Sequence, residues 1–339
     1  ALDAALLDFA RRTRGQAGWP LQVFVTPEGY PLVASTYQPP QEFAALLEDL
    51  AARWSRNAAA LTTTARAAAE QLHAAPPPQQ PIKRGALLPA LRNAALARAD
   101  ELQGGFGAQS RFPHAPQLLA LLRIHAREPH AELDAFLRLT LRQIATQGLH
   151  DELGDGFFRY TTDPDWQTPH FEKLLADNAL LARVYLRAAK AFAEPEWENV
   201  AQRTLDFILR EFRAADGGYH VALSALDGAG NDGGYYLWSR EELRALAGAR
   251  WPWLERYWGL DVPSPFAAGH LPIPRLSRAQ LAAELKQPQA TVDAELDALY
   301  AQLRQRRAQR TLPVDRQVLA AANGLLLTAL AEASAQFET

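Results

Sequence analysis

The 339-residue sequence contains no cysteine and no methionine. The first absence excludes disulfides, thiolate metal sites and thiol redox chemistry within these residues. The second, with no initiator residue, points to a processed or partly represented chain. Charge of one sign is also lacking. The 35 Lys and Arg are offset by 38 Asp and Glu, so the formal net charge is only -3. That balance gives no electrostatic ground for binding nucleic acid or an anionic membrane. No apolar run is long enough to cross a bilayer, and no secretory signal opens the chain; a cytoplasmic location is expected. Metal-ligand spacing is missing too. The 8 His residues show neither HxxxH nor HExxH. The loop from Asp227 to Gly233 lacks the terminal bidentate Glu of a calcium loop. No metal and no cofactor is expected.

What is present is apolar surface. Hydrophobic residues make up 48% of the chain, enough to fill the core of one large domain or two. Residues 1–57 read as helix, strand, strand, helix: ALDAALLDFARR, LQVFVT, YPLVAST and QEFAALLEDLAARW, with a turn at Pro27-Glu28-Gly29. Residues 58–74 are Ala-rich and helical in pattern, and AAPPPQQP (74–81) is a polyproline-type linker. The domains expected are therefore 1–57, a helix and linker over 58–83, and 84–339. From residue 84 on, helical spacing recurs between three Gly-rich aromatic loops at 104–116, 154–169 and 216–238. This recurrence implies helical hairpins whose loops gather on one face.

The stretch from Gly154 to Tyr185 organises the chain. Thr168-Pro169 has the form of an N-cap followed by Pro at the first helical position. Phe171, Leu174, Leu175, Leu181, Ala182 and Tyr185 follow at helical spacing. On that reading a helix starts at Pro169, with His170, Lys173 and Asp177 along one side and Glu172 and Arg183 on the other. His170 is the natural acid/base group near neutral pH. The plainer alternative is an i,i+4 pair of Lys173 and Asp177 on a solvated helix face. Trp166, Tyr160, Phe157, Trp238 and Tyr236 could stack on a sugar ring or simply plug the ends of hairpins. Phe106 and Phe112 read as core residues. Asp163, Asp165, Glu172, Asp227 and Asp232 could supply a glycosidase-type carboxylate pair, whereas Glu152 and Asp155 read as solvated. The basic run RQRRAQR (304–310) also reads as a solvated helix end.

Several of these motifs resemble the spermatogenesis-associated, thioredoxin-like family. Gly156-Phe157, Arg159-Tyr160, Trp166, Pro169-His170-Phe171-Glu172-Lys173 and Asp177-Asn178-Ala179-Leu180-Leu181 match its central pattern. Gly104-Gly105-Phe106-Gly107, Phe112-Pro113-His114, Ser224-Ala225-Leu226-Asp227 and Tyr235-Tyr236-Leu237-Trp238 extend the match. The segment around Gly18-Trp19-Pro20-Leu21 resembles the second half of a thioredoxin fold, which implies a cis-proline at Pro20. The family's Cys pair and first strands would lie upstream, and its barrel continues beyond the last motif. The fold implied is mostly α: an α/α toroid of the six-hairpin glycosidase and sugar-epimerase type, incomplete in these residues, preceded by part of a thioredoxin-like unit. Departures occur at Phe158 (His in the family), Arg316 (Asp), Gln317 (Lys) and Ala322 (Trp).

The resemblance implies a carbohydrate-active protein of sugar epimerase or isomerase type. His170, Asp177 and Asp227 are the catalytic candidates. Arg159, Tyr160, Trp166, Glu172, Lys173, Trp238 and Asn323 are the substrate-binding candidates. The departures favour an alternative: a catalytically degenerate binding or interaction protein, with a protein partner on the N-terminal segment. A thioredoxin-type redox role would require a Cys-x-x-Cys upstream. As a ligand, a carbohydrate is expected; nucleic acid and membrane are not.

Overall fold

A computed structural model describes residues 2–15, 17–73 and 84–337. The chain forms two compact units, residues 1–82 and 83–339. The expected linker at 74–81 lies outside the described residues, apart from the helix ending at His73.

The N-terminal unit runs α1 (Leu2–Arg14), β1 (Gln22–Val25), β2 (Pro31–Ser35) and α2 (Pro40–His73). The strands form an antiparallel hairpin with Gln22 opposite Ser35 and Phe24 opposite Val33. Its turn closes through Gly29 at φ +90°, a conformation open to glycine. The Trp19–Pro20 peptide is cis, as the resemblance implies. α2 absorbs the Ala-rich stretch in one 34-residue helix broken at Asn57. The buried apolar cluster of this unit comprises Phe9, Ala10 and Ala34. Phe24, Val33, Leu46, Leu50, Trp54 and Leu61 instead line an apolar groove of about 1250 Å³.

The second unit is helical. It contains α3 (Leu87–Leu96), α4 (Ala115–Arg127), α5 (Ala131–Thr146), α6 (Leu175–Phe192), α7 (Pro195–Glu211), α8 (Arg240–Ala247), α9 (Trp251–Tyr257), α10 (Arg278–Leu285), α11 (Gln289–Arg307) and α12 (Ala320–Phe337). α6 is its centre, packed against α4, α7 and α12. The tight α6–α7 corner follows from local chemistry. Ala193 takes the left-handed conformation that ends α6, and Pro195 starts α7 without losing a helical hydrogen bond. α4, α6 and α12 thus stand side by side, with α5 against α4 and α7 against α6. That alternation of an inner row with outer partners is the layout of an α/α toroid. α8 to α11 carry a second core around Leu254, Leu281, Leu296 and Leu299. Capping boxes at Ser239/Glu242 and Ser277/Gln280 start two of its helices.

The loops that precede the inner helices meet at one end. Arg111 bridges Thr161, and Trp166 Nε1 donates to the Gln103 carbonyl at 3.0 Å. β3 (Tyr160–Thr161) pairs with β4 (Pro169–His170). β5 (Lys173–Leu174), β6 (Ala222–Leu223) and β7 (Val314–Asp315) form a small antiparallel sheet.

These ladders correct the expected helix start. Residues 169–174 are extended, and α6 begins only at Leu175. Thr168 caps nothing; its backbone N–H donates to the Asp163 carboxylate instead. Burial alternates along the segment. Pro169, Phe171 and Lys173 are buried while His170, Glu172 and Leu174 are partly exposed. This period of two belongs to a strand. Local helix signals lost to pairing with residues 160–161 and 222–223, which no local window contains.

Candidate functional site

A cleft of about 290 Å³ opens between the N-terminal ends of α4 and α6. Phe112, Pro113, His114, Ala115, Pro116 and Gln117 form one wall; Arg159, Leu174, Asp177 and Leu180 form the other. Phe112 stacks on Tyr160 with ring centroids 4.5 Å apart, and Tyr160 meets His170 at 5.2 Å. The extended 169–174 segment places Glu172 beside them. Arg159 Nη1 donates to Glu172 Oε2 at 2.8 Å, and His170 Nε2 lies 3.9 Å from that same oxygen.

The electrostatics single out Asp177. Burial pushes its carboxyl up to about 6, the Arg159 guanidinium opposes the shift and Glu172 adds to it. Among the described residues its side chain has no hydrogen-bond donor. On the opposite wall, burial lowers the His114 imidazole below the usual histidine range. The cleft therefore offers a desolvated carboxyl, an imidazole and a guanidinium beside a short ring stack. Such a constellation can bind hydroxyls and move protons.

The structure brings together five of the residues named from sequence: Arg159, Tyr160, His170, Glu172 and Asp177. It places the others elsewhere. Trp166 is fully buried, its ring filling the space over Gly105. Trp238 is fully buried beneath the Arg310 guanidinium, 4.0 Å from its ring centroid. Neither can be a platform facing solvent; both are core plugs, as are Phe157 and Tyr236. Asp227 folds its own loop, accepting hydrogen bonds from the backbone of Ala229 and Asn231. It borders a different depression, with Glu242, Arg310 and Thr311. The three catalytic candidates thus do not share one cleft. Asn323 ties α12 to the loop after α7 through both backbone groups of Tyr219.

Lys173 is not at the surface. Its ammonium donates to Asp151 Oδ2 and to the Asp155 carbonyl, both at 2.7 Å, inside a box formed by Phe158, Phe207 and Tyr236. Arg307 donates to the other oxygen of Asp151 at 2.9 Å. This corrects the reading of the 304–310 run, in which Arg307 is buried. Asp155 is likewise engaged, bonded by Arg203. Gly154 makes room for Arg307, since a Cβ there would lie 1.7 Å from the guanidinium. Phe158 is fully buried edge-on to Phe171 and Tyr236, so this position is apolar core.

Sequence reasoning missed Phe112, which is exposed rather than core, and also His114 and Gln117. The Phe112-Pro113-His114 motif was the available signal.

Comparison with known proteins agrees with the motifs. Residues 1–73 match the Thioredox_DsbH family model, described as a protein of unknown function, DUF255. The chain as a whole is similar to spermatogenesis-associated protein 20. It is 28% identical to the human protein, across 97% of this chain and 47% of that one. The rat protein is 27% identical, with 98% and 47% covered. The chain thus spans about half the length of the curated relatives it matches. Among solved structures, a cellobiose 2-epimerase from Spirochaeta thermophila aligns with 76% of this chain and 83% of its own, at 15% identity and a TM-score of 0.36.

Proposed function

We propose that the helical unit binds a sugar in the cleft between α4 and α6 and acts on it by proton transfer, as an epimerase or isomerase would. The observation that carries this reading is Asp177. A carboxyl drawn out of water, with no donor among the described residues, stands in an open cleft next to the Phe112–Tyr160 stack. A sugar supplies what is missing: hydroxyl donors for the carboxyl and C–H faces for the rings. Arg159 would hold a ring or carbonyl oxygen, and His170 and Glu172 would orient the guanidinium and the stack.

A second reading has its own support. Phe158 and Lys173 are sealed into the core, so these motif positions are not presented to a ligand. A binding protein without turnover would keep the cleft and lose the chemistry.

Calorimetric titration with a panel of neutral mono- and disaccharides tests the proposal. Saturable binding is expected for at least one sugar, weakened at least tenfold in Tyr160→Ala and in Asp177→Leu. No heat with any sugar would remove the carbohydrate reading for this chain. Binding without turnover would favour the second reading.

A further inference from the structure

Resting on the sugar-isomerising reading, we infer that the proton-transfer pair of this cleft is His114 with Asp177, and that His170 is a positioning residue. His114 and Asp177 face the same cleft from its two walls, whereas His170 lies outside its lining, against Tyr160 and Glu172. The His114 backbone sits at φ +46° and ψ +44°, the left-handed region. That conformation is unfavourable for a residue with a side chain, and such strain collects at functional sites. It is not repaid as a helix cap: the His114 side chain makes no capping bond to α4. Nor does the imidazole hydrogen-bond to any described residue. Its ring lies 5.8 Å from that of Phe106 and 6.2 Å from that of Phe112. Two titratable side chains thus point into one cleft with their hydrogen-bonding atoms unspent. Burial lowers His114 and raises Asp177, so each is held toward its neutral form: an imidazole able to accept a proton and a carboxylic acid able to give one.

The step balances within the substrate. His114, as neutral imidazole, takes the proton from the carbon beside the carbonyl of an open-chain sugar. The C–H electron pair becomes the C1=C2 bond, and the carbonyl π pair moves to oxygen next to Arg159. Asp177, as carboxylic acid, returns a proton to C2 from the opposite face while the oxygen pair re-forms the carbonyl. The imidazolium then loses its proton to water and the carboxylate regains one. No oxidant, reductant or cofactor enters.

The test is hydrogen exchange at C2 of an aldose in D2O, followed by proton NMR, for the full chain and for His114→Asn, Asp177→Asn and His170→Asn. The expected result is loss of exchange by at least a hundredfold in His114→Asn, whereas Asp177→Asn should keep exchange through His114 and lose formation of the C2 epimer by at least a hundredfold. His170→Asn should lose no more than about tenfold and act chiefly on apparent affinity. Sugar titration of each variant checks that the cleft survives, and Asn can occupy the left-handed conformation at position 114. Exchange retained by His114→Asn, or abolished by His170→Asn alone, would overturn this pairing and leave the sugar reading intact. An absence of exchange by the wild-type chain with every aldose it binds would overturn both the pairing and the isomerising chemistry. An absence of binding as well would remove the carbohydrate site itself.

Discussion

Replacing Asp151 with Asn should be among the most damaging isosteric changes in the helical unit. The Asp151 and Lys173 side chains are each 1% exposed and that of Arg307 is 7% exposed. One carboxylate answers two buried cations, and it also accepts from the backbone N–H groups of Leu153 and Gly154. Paired this way, the Asp151 carboxyl is held far below the usual carboxylate range, chiefly by Arg307 and Lys173 against the cost of its burial. The amide keeps the shape but strands both cations. Breaking one buried pair costs about 3–5 kcal/mol, and sharing of the carboxylate puts this site near the upper end. For a unit of this size each kcal/mol moves the melting temperature by about 2–4 °C, so a drop of about 10–20 °C is expected. Lys173→Met provides the contrast. It leaves Asp151 and Arg307 as a one-to-one pair and fills the aromatic box, so its cost should stay below about 2 kcal/mol. Equilibrium urea unfolding followed by tryptophan fluorescence measures both. Equal damage from the two variants, or an Asp151→Asn protein within about 1 kcal/mol of wild type, would refute the two-cation argument. The pH dependence adds a check. Burial lowers Lys173 to about 8, beneath its ordinary 10.5. The protonated amine therefore burdens the fold below pH 8, and that burden lifts as pH rises from 8 toward 10.5. Wild type should gain on Lys173→Met between pH 8 and 9.5.

Two further outcomes follow from the same physics. Asp177→Asn should stabilise the fold at pH 8, because the carboxyl's rise from 3.8 to about 6 penalises its ionised form in the native state. The gain is at most about 3 kcal/mol at 1.36 kcal/mol per pH unit, and it should vanish below pH 4, where both states are protonated; urea unfolding at the two pH values reads it. Gly156→Ala should cost at least about 3 kcal/mol, since φ is +73° and a Cβ would lie 2.3 Å from the Phe207 ring. Gly230→Ala, at φ +87° with nothing nearby, should cost only about 1–2 kcal/mol, and comparing the two melting curves separates backbone strain from steric clash.

Much of the helical unit was legible because its helices carry long apolar stripes, as α5 does with Leu133, Phe136, Leu137, Leu141 and Ile144. The hairpin at 22–35 was equally legible, since short β-branched runs flank a Gly-containing turn. Motif matching drew attention to Arg159, Tyr160, His170, Glu172 and Asp177, which the fold brings together. Four of the residues it misjudged share one cause. Trp166, Trp238, Lys173 and Arg307 are polar or amphipathic side chains whose place depends on distant partners: Gly105 for Trp166, Arg310 for Trp238, Asp151 for Lys173 and Arg307.

Composition and spacing were enough to establish a mostly helical chain with loops rich in glycine and aromatics and no cysteine, and among the described residues no helix is long and apolar enough to cross a membrane. Those properties are sums over residues or repeats along a short window, so the order of the letters carries them. The start of α6 at Leu175, the burial of Lys173 and the placement of His114 and Asp177 on the two walls of one cleft are of another kind. Each depends on segments separated by tens of residues that meet only once α4, α6 and α12 have packed. Their energies come from desolvation and from charges placed against each other, and neither exists until the chain has closed around them.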